Sequence, residues 1–217
     1  MTIAQCPSIG SPYITPEDKA LITQEIVSTF SSEFNGLAQE NPVVVLLGGF
    51  QGSGKSTIAE HLQKKHQFTV ISTDAIRYKL LEKNIGGDLF AEMVSSIWKV
   101  LLIIAVKKRL NIVIDANAHE KRIGEVSRLL KPSRMYKMVK IFLYAPEETL
   151  IERLESRPKA EGSYQGQIAD LKGSLVTSKV NVSDYDRVLR TDVLTIVEEF
   201  RSVDALLAEI LQLEREV

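Results

Sequence analysis

The sequence predicts a three-layer α/β fold, a parallel five-stranded sheet with helices on both faces. Three observations carry that prediction. Short apolar segments alternate with helical stretches from residue 41 onward, the first of them is apolar without interruption, and a glycine-rich turn joins it to a helix. With 217 residues, 44% hydrophobic and 25% charged, the chain suits one domain plus a small appendage and excludes global disorder. A net charge of −1 excludes bulk attraction to nucleic acid or an anionic membrane and leaves a local basic groove open.

Residues 1–40 read as an N-terminal appendage. Pro7, Gly10, Pro12 and Pro16 break up its start. Thr15-Pro16-Glu17-Asp18 then supplies an N-cap, a first-turn proline and early acids. Leu21, Ile22, Ile26, Val27, Phe30 and Phe34 recur at helical spacing, and Asn35-Gly36 is a plausible stop. The main domain, 41–217, opens with the apolar strand Pro42–Leu47, followed by strands at 68–71, 111–114, 139–144 and, more weakly, 187–189. Helices are expected at about 55–66, 75–83, 88–109, 119–130, 147–157 and 201–214. Residues 158–185, with Gly162, Gly166, Gly173 and many polar side chains, read as a mobile, lid-like insertion.

Gly49-Phe50-Gln51-Gly52-Ser53-Gly54-Lys55-Ser56 matches G-x-x-x-x-G-K-[ST], the most specific pattern in the chain. Its context agrees, because it follows an apolar strand and opens a helix whose face is Ile58, Ala59 and Leu62. Glycines let successive backbone N–H groups point into one concavity, and the helix N-terminus adds partial positive charge for phosphate oxygens. Lys55 would span the β and γ phosphates of ATP and Ser56 would offer a Mg²⁺ ligand, while Thr57 bonds within the helix or joins the phosphate site.

The class of nucleotide protein follows from what accompanies this turn. No N-K-x-D or T-K-x-D string is present, which weighs against a GTP switch. Leu110–Asp115 is a Walker B-like strand followed by Ala116 rather than glutamate, which favours transfer to a hydroxyl over attack by water. Asp74 lies just past the second strand, at the sheet edge where ligands of open parallel sheets bind. It reads as a base for an acceptor hydroxyl, as a holder of a magnesium-bound water, or as a helix N-cap. Arg77 follows three residues later and would face the same cleft.

The combination GxxGSGKST at 49–57, S-T-D-x-x-R at 72–77 and I-D-A-N at 114–117 resembles the small P-loop kinases, with an AAA-type ATP-binding domain, grouped with polynucleotide kinase and zeta toxin. The similarity covers about residues 42–212. It implies phosphate binding by Gly52, Gly54, Lys55, Ser56 and Thr57, within a loop that also contains Gly49 and Ser53. It further implies base or metal-water duty for Asp74, acceptor binding by Arg77, and a Walker B-like role for Asp115, which otherwise reads as an ordinary strand-end carboxylate. After the fourth strand, E-R-L-x-x-R at 152–157 is similar to the element that begins the lid of nucleoside-phosphate-type kinases. Arg153 and Arg157 stand four apart, where like charges repel, so an anion between them would explain the pairing. They would neutralise charge on the transferring phosphoryl group, or form a solvated face with Glu152 and Glu155. Tyr185–Asp192 resembles the segment that passes the adenine, with Asp186, Arg190 and Asp192 read as structural.

Other features are assigned less. His61, His66 and His119 show no metal spacing, and Trp98 lies on an apolar helix that reads as core. Lys107-Lys108-Arg109 and the stretch 131–140 are short basic segments that do not demonstrate polynucleotide binding. Cys6 alone excludes an internal disulfide and a cysteine-based zinc site. The longest apolar run, Val100–Val106, falls short of the roughly 18 residues a membrane span needs, and no leader is visible, so a cytoplasmic protein is expected. The expected activity is transfer of the γ-phosphoryl of Mg-ATP to a hydroxyl of an unnamed acceptor. Alternatives are a polynucleotide 5′-hydroxyl kinase, a zeta-toxin-like sugar-nucleotide kinase and an ATP-binding regulatory module that performs no transfer.

Overall fold

The computed structural model describes residues 14–116, 120–156, 168–177 and 180–212. Strands β1 (Val43–Gly48), β2 (Thr69–Ser72), β3 (Ile112–Asp115), β4 (Lys137–Tyr144) and β5 (Arg187–Arg190) form one sheet in the order β2-β3-β1-β4-β5. Every neighbouring pair is parallel, so all carboxyl ends meet at one edge. From β1 the chain runs out to β2 and back to β3 on one side, then crosses to β4 and β5 on the other, so β1 ends at the switch point where such sheets bind ligands.

The uninterrupted apolar β1 is explained by its position. All six of its residues are buried because both faces are covered. Val44 and Leu46 join a core with α1 (Pro16–Ser32), α3 (Thr73–Glu82), α4 (Gly87–Lys107) and α5 (Glu120–Leu130). Val43, Val45 and Leu47 point the other way, against Ile58 and Leu62 of α2 (Lys55–His66) and Val203 and Leu207 of α8 (Ile196–Gln212). A period of two along one strand thus makes three layers. Register aligns Asp115 with Leu47 of β1 and Ser72 of β2, so the loops after β1, β2 and β3 open at the same level.

Several boundaries move for identifiable reasons. Thr15 and Asp18 form the expected capping box, with Asp18 N–H donating to Thr15 Oγ1 at 3.1 Å. Ser72 caps α3, which begins two residues ahead of expectation. Residues 168–177, expected inside an irregular insertion, form α7 (Ile168–Thr177), because Leu171 is fully buried and packs with Leu175 against Ala145 and Leu150. Leu150 belongs to α6 (Glu147–Glu155). α8 begins at Ile196 rather than near 201, since Thr195 and Glu198 make a second capping box that the sequence reading overlooked.

α4 also departs from the estimate by apolar run. Leu89–Lys107 is long and apolar enough to cross a membrane by length and composition. In this fold it supplies Met93, Ile97, Trp98, Leu102 and Ala105 to the core, all at 0% exposure, as the core reading of Trp98 anticipated.

Candidate active site

The turn after β1 has the backbone that a phosphate cradle needs. Gly49, at φ 137°, could not carry a side chain, since a Cβ there would stand 2.5 Å from the Leu143 carbonyl oxygen. Gly54 takes the N-cap position of α2 in a left-handed conformation and no side chain among the described residues caps that helix, which suits a helix start that receives an anion. Lys55 folds back over the turn, and its Nζ donates to the carbonyls of Gly49 and Phe50, both at 2.9 Å. Ser53 lies within the turn. Its hydroxyl is buried and its amide donates to Phe50 O at 3.1 Å.

Two carboxylates line the same cavity as Lys55. Asp115, at the end of β3 and 8% exposed, accepts from Ser56 Oγ at 2.9 Å. Ser56 and Asp115 are two of the three residues, with Asp74, expected at the metal, and they meet although separated by 59 positions. Asp74 lies in the first turn of α3. Ser72 Oγ accepts from Ala75 N–H at 3.4 Å, so Ser72 is the N-cap and the capping alternative for Asp74 falls away. The Asp74 carboxylate accepts from Arg77 one turn further on, and both side chains reach solvent. Gly49, Lys55, Asp74, Arg77 and Asp115 line one cavity of about 190 Å³.

That cavity contains a residue the sequence reading missed. Arg122, in the first turn of α5, lies with its Cζ 4.1 Å from the centre of the Trp98 ring. Burial lowers its pKa; Glu125 opposes that effect and the charge of Arg77 adds to it. A cation in a helix's first turn faces the positive end of the helix dipole, and this misplacement was the available signal.

A second cavity, about 320 Å³, opens on the other side of the turn between Gly52, Gly54, Thr57, Arg153, Thr191 and Glu199. Arg153 donates to Gly52 O at 3.3 Å, to Thr191 Oγ1 at 3.0 Å and to Thr191 O, and so joins the turn to the segment after β5. It lines this cavity rather than the one holding Asp74. Arg157 and His119, together with 158–167 of the expected lid, lie outside the described residues. Glu199 is 6% exposed, and burial raises its pKa against the opposing charge of Arg153. Arg190 and Asp192 pair with each other at 2.8 and 2.6 Å, and Asp186 accepts from Lys140 N–H at 2.7 Å, the structural roles expected of them.

The histidines require a correction. His61 Nε2 and His66 Nε2 stand 2.8 and 2.6 Å from Asp204 Oδ1, with Lys65 on the other oxygen at 2.6 Å. Asp204 is 138 positions from His66, which is why spacing alone gave no sign of the cluster.

The family model described as AAA domain matches residues 44–175. A cytidylate kinase from Fusobacterium nucleatum subsp. nucleatum is 39% identical over 89 residues, which are 38% of this chain and 41% of that protein. The chain thus spans less than half the length of this curated relative. A gluconokinase from Sinorhizobium meliloti 1021 superposes with a TM-score of 0.57 at 18% identity, over 81% of this chain and 99% of the other. A chain of the Pnkp1/Rnl/Hen1 RNA repair complex gives 0.55 at 18% identity, over 69% of this chain and 48% of that one. At such identities the likeness is one of fold, and the fold is that of P-loop kinases.

Proposed function

Because the chain belongs to the AAA domain family, whose model covers most of its length, and folds as a P-loop kinase, we propose that this kinase-type phosphotransferase moves the γ-phosphoryl of ATP to an acceptor hydroxyl. The observation that carries this reading is the cavity that Lys55, Asp74 and Asp115 line together. Ser56 and Asp115, hydrogen-bonded at 2.9 Å, are the oxygen donors that would hold Mg²⁺, which neutralises phosphate charge when bound. Lys55 exchanges its two carbonyl partners for phosphate oxygens, and the α2 amides complete the cradle.

Asp74 is the proposed base. As the acceptor oxygen bonds to the γ phosphorus, the bond from that phosphorus to the β–γ bridging oxygen breaks, ADP leaves with the electron pair, and the hydroxyl proton passes to the Asp74 carboxylate. Most of the rate would come from positioning and charge, as is usual in phosphoryl transfer. The second cavity, with Arg153, Thr191 and Glu199, is the space proposed for the nucleoside.

The likeness to a cytidylate kinase raises a second reading, with a phosphate as acceptor. A phosphate oxygen arrives already ionised and needs no base, so one substitution separates the two. With γ-labelled ATP and a panel of nucleosides, oligonucleotide 5′ ends, sugars, amino-alcohols and cytidine monophosphate, mass detection identifies the product. Asp74→Asn is then expected to lower kcat by roughly 10²–10⁴-fold while leaving ATP affinity within a few-fold. Unchanged turnover in that variant would remove Asp74 as base and favour the phosphate acceptor.

A further inference from the structure

Arg122 has Nε and Nη1 buried with no hydrogen-bond partner among the described residues. A guanidinium keeps its charge in proteins, and a buried cationic donor without an acceptor is costly, so such groups call for a partner. One face of the group rests on Trp98, which is at 0% exposure. Three acids near it among the described residues already have partners. Asp74 is engaged by Arg77, Asp115 by Ser56, and Glu125 lies 3.4 Å from Lys99. Arg77 stands close enough for its charge to be felt at Arg122, so two guanidinium groups converge on one small cavity.

We propose that Arg122 receives an oxyanion, a phosphate or carboxylate group that the acceptor carries beside its reacting hydroxyl. The accepted substrate class is therefore an anionic alcohol, and Arg122 is the residue that selects it. Oxyanions match a planar guanidinium fork, and the shared cavity sets the bound anion next to Asp74, where the hydroxyl must sit. Lys55 and the α2 N-terminus serve the nucleotide in the reading proposed above. The substrate class rests on the phosphotransferase reading, whereas the anion site itself is measurable without turnover.

The test titrates the full chain, loaded with Mg²⁺ and a non-hydrolysable ATP analogue, with inorganic phosphate and separately with malonate, by calorimetry. Saturable binding of at least one probe is expected, weakened by roughly 10- to 100-fold in Arg122→Met. Arg122→Lys keeps the charge without the fork, should give an intermediate loss, and replaces the methionine variant if that one unfolds. The stronger probe tells phosphate from carboxylate. A turnover arm compares nucleoside 3′-phosphate with nucleoside and a sugar acid with its sugar. The charged member should be preferred by roughly 10- to 100-fold in kcat/KM, and Arg122→Met should bring that ratio toward unity with the KM for ATP unchanged. Binding of neither probe, or binding equal in wild type and both variants, overturns the proposal. Arg122-dependent anion binding without transfer to any acceptor would uphold the anion site and sink the phosphotransferase reading.

Discussion

Gly49 carries the tightest constraint at the scale of single residues. Its φ of 137° and the 2.5 Å approach of Leu143 O to a would-be Cβ leave no room for alanine. Gly49→Ala should therefore cost at least about 1–3 kcal/mol of stability through backbone strain. It should also abolish binding of an ATP analogue, because Gly49 O and Phe50 O are the atoms that seat Lys55 before the nucleotide arrives. Denaturant unfolding and calorimetric titration check the two effects separately. A variant that binds normally would show that the turn relaxes around a methyl group. Ser53, in the same turn, has a buried hydroxyl and an amide that donates to Phe50 O at 3.1 Å.

At the scale of elements, the contact between α2 and α8 carries its own charge cluster. Burial works to raise the Asp204 pKa, but hydrogen bonds from Lys65, His66 and His61 outweigh it and hold the carboxyl well below its ordinary value. His61 adds a parallel stack on Phe200, centroids 3.9 Å apart. A carboxyl whose folded pKa lies below its unfolded value, about 3.9, contributes stability fully above roughly pH 5 and loses it as pH falls through 4 toward the folded value. Asp204→Ala should cost about 1–3 kcal/mol at pH 7. The difference between wild type and variant should shrink in acid, which thermal melts at pH 7, 5 and 3 would reveal. A pH-independent difference would mean that Asp204 acts through packing alone. Because Thr57 of α2 and Glu199 of α8 both line the second cavity, this contact also helps to fix its walls.

At the scale of the whole molecule, α1 is built into the main core. Ile26 is 2% exposed and belongs to the same cluster as Trp98 and Leu102 of α4, while Lys83 reaches Glu25 at 2.7 Å. The appendage and the sheet are therefore expected to unfold together. Ile26→Ala should lower stability by about 2–5 kcal/mol while keeping a single transition by fluorescence and circular dichroism. Two separated transitions would show that residues 14–33 form an independent unit. The same helix, α4, supplies the Trp98 face on which Arg122 rests, so core packing and the proposed acceptor site share one element.

Sequence alone determined the strand–helix alternation and the glycine-rich turn at 49–57, and it singled out Asp74, Arg77 and Asp115, which the fold brings to one cavity, because apolar periodicity and short motifs are local and depend on neighbours in the chain. Tertiary structure alone decided which side of the turn each arginine serves. It sent Arg153 to Thr191, set Arg122 on Trp98 beside Arg77, and gathered His61, His66 and Asp204. Those pairings join residues tens of positions apart through the packing of helices on a twisted sheet, and no local pattern encodes them. Burial then gives Arg122 its significance, since the same guanidinium exposed to water would have no need of a partner.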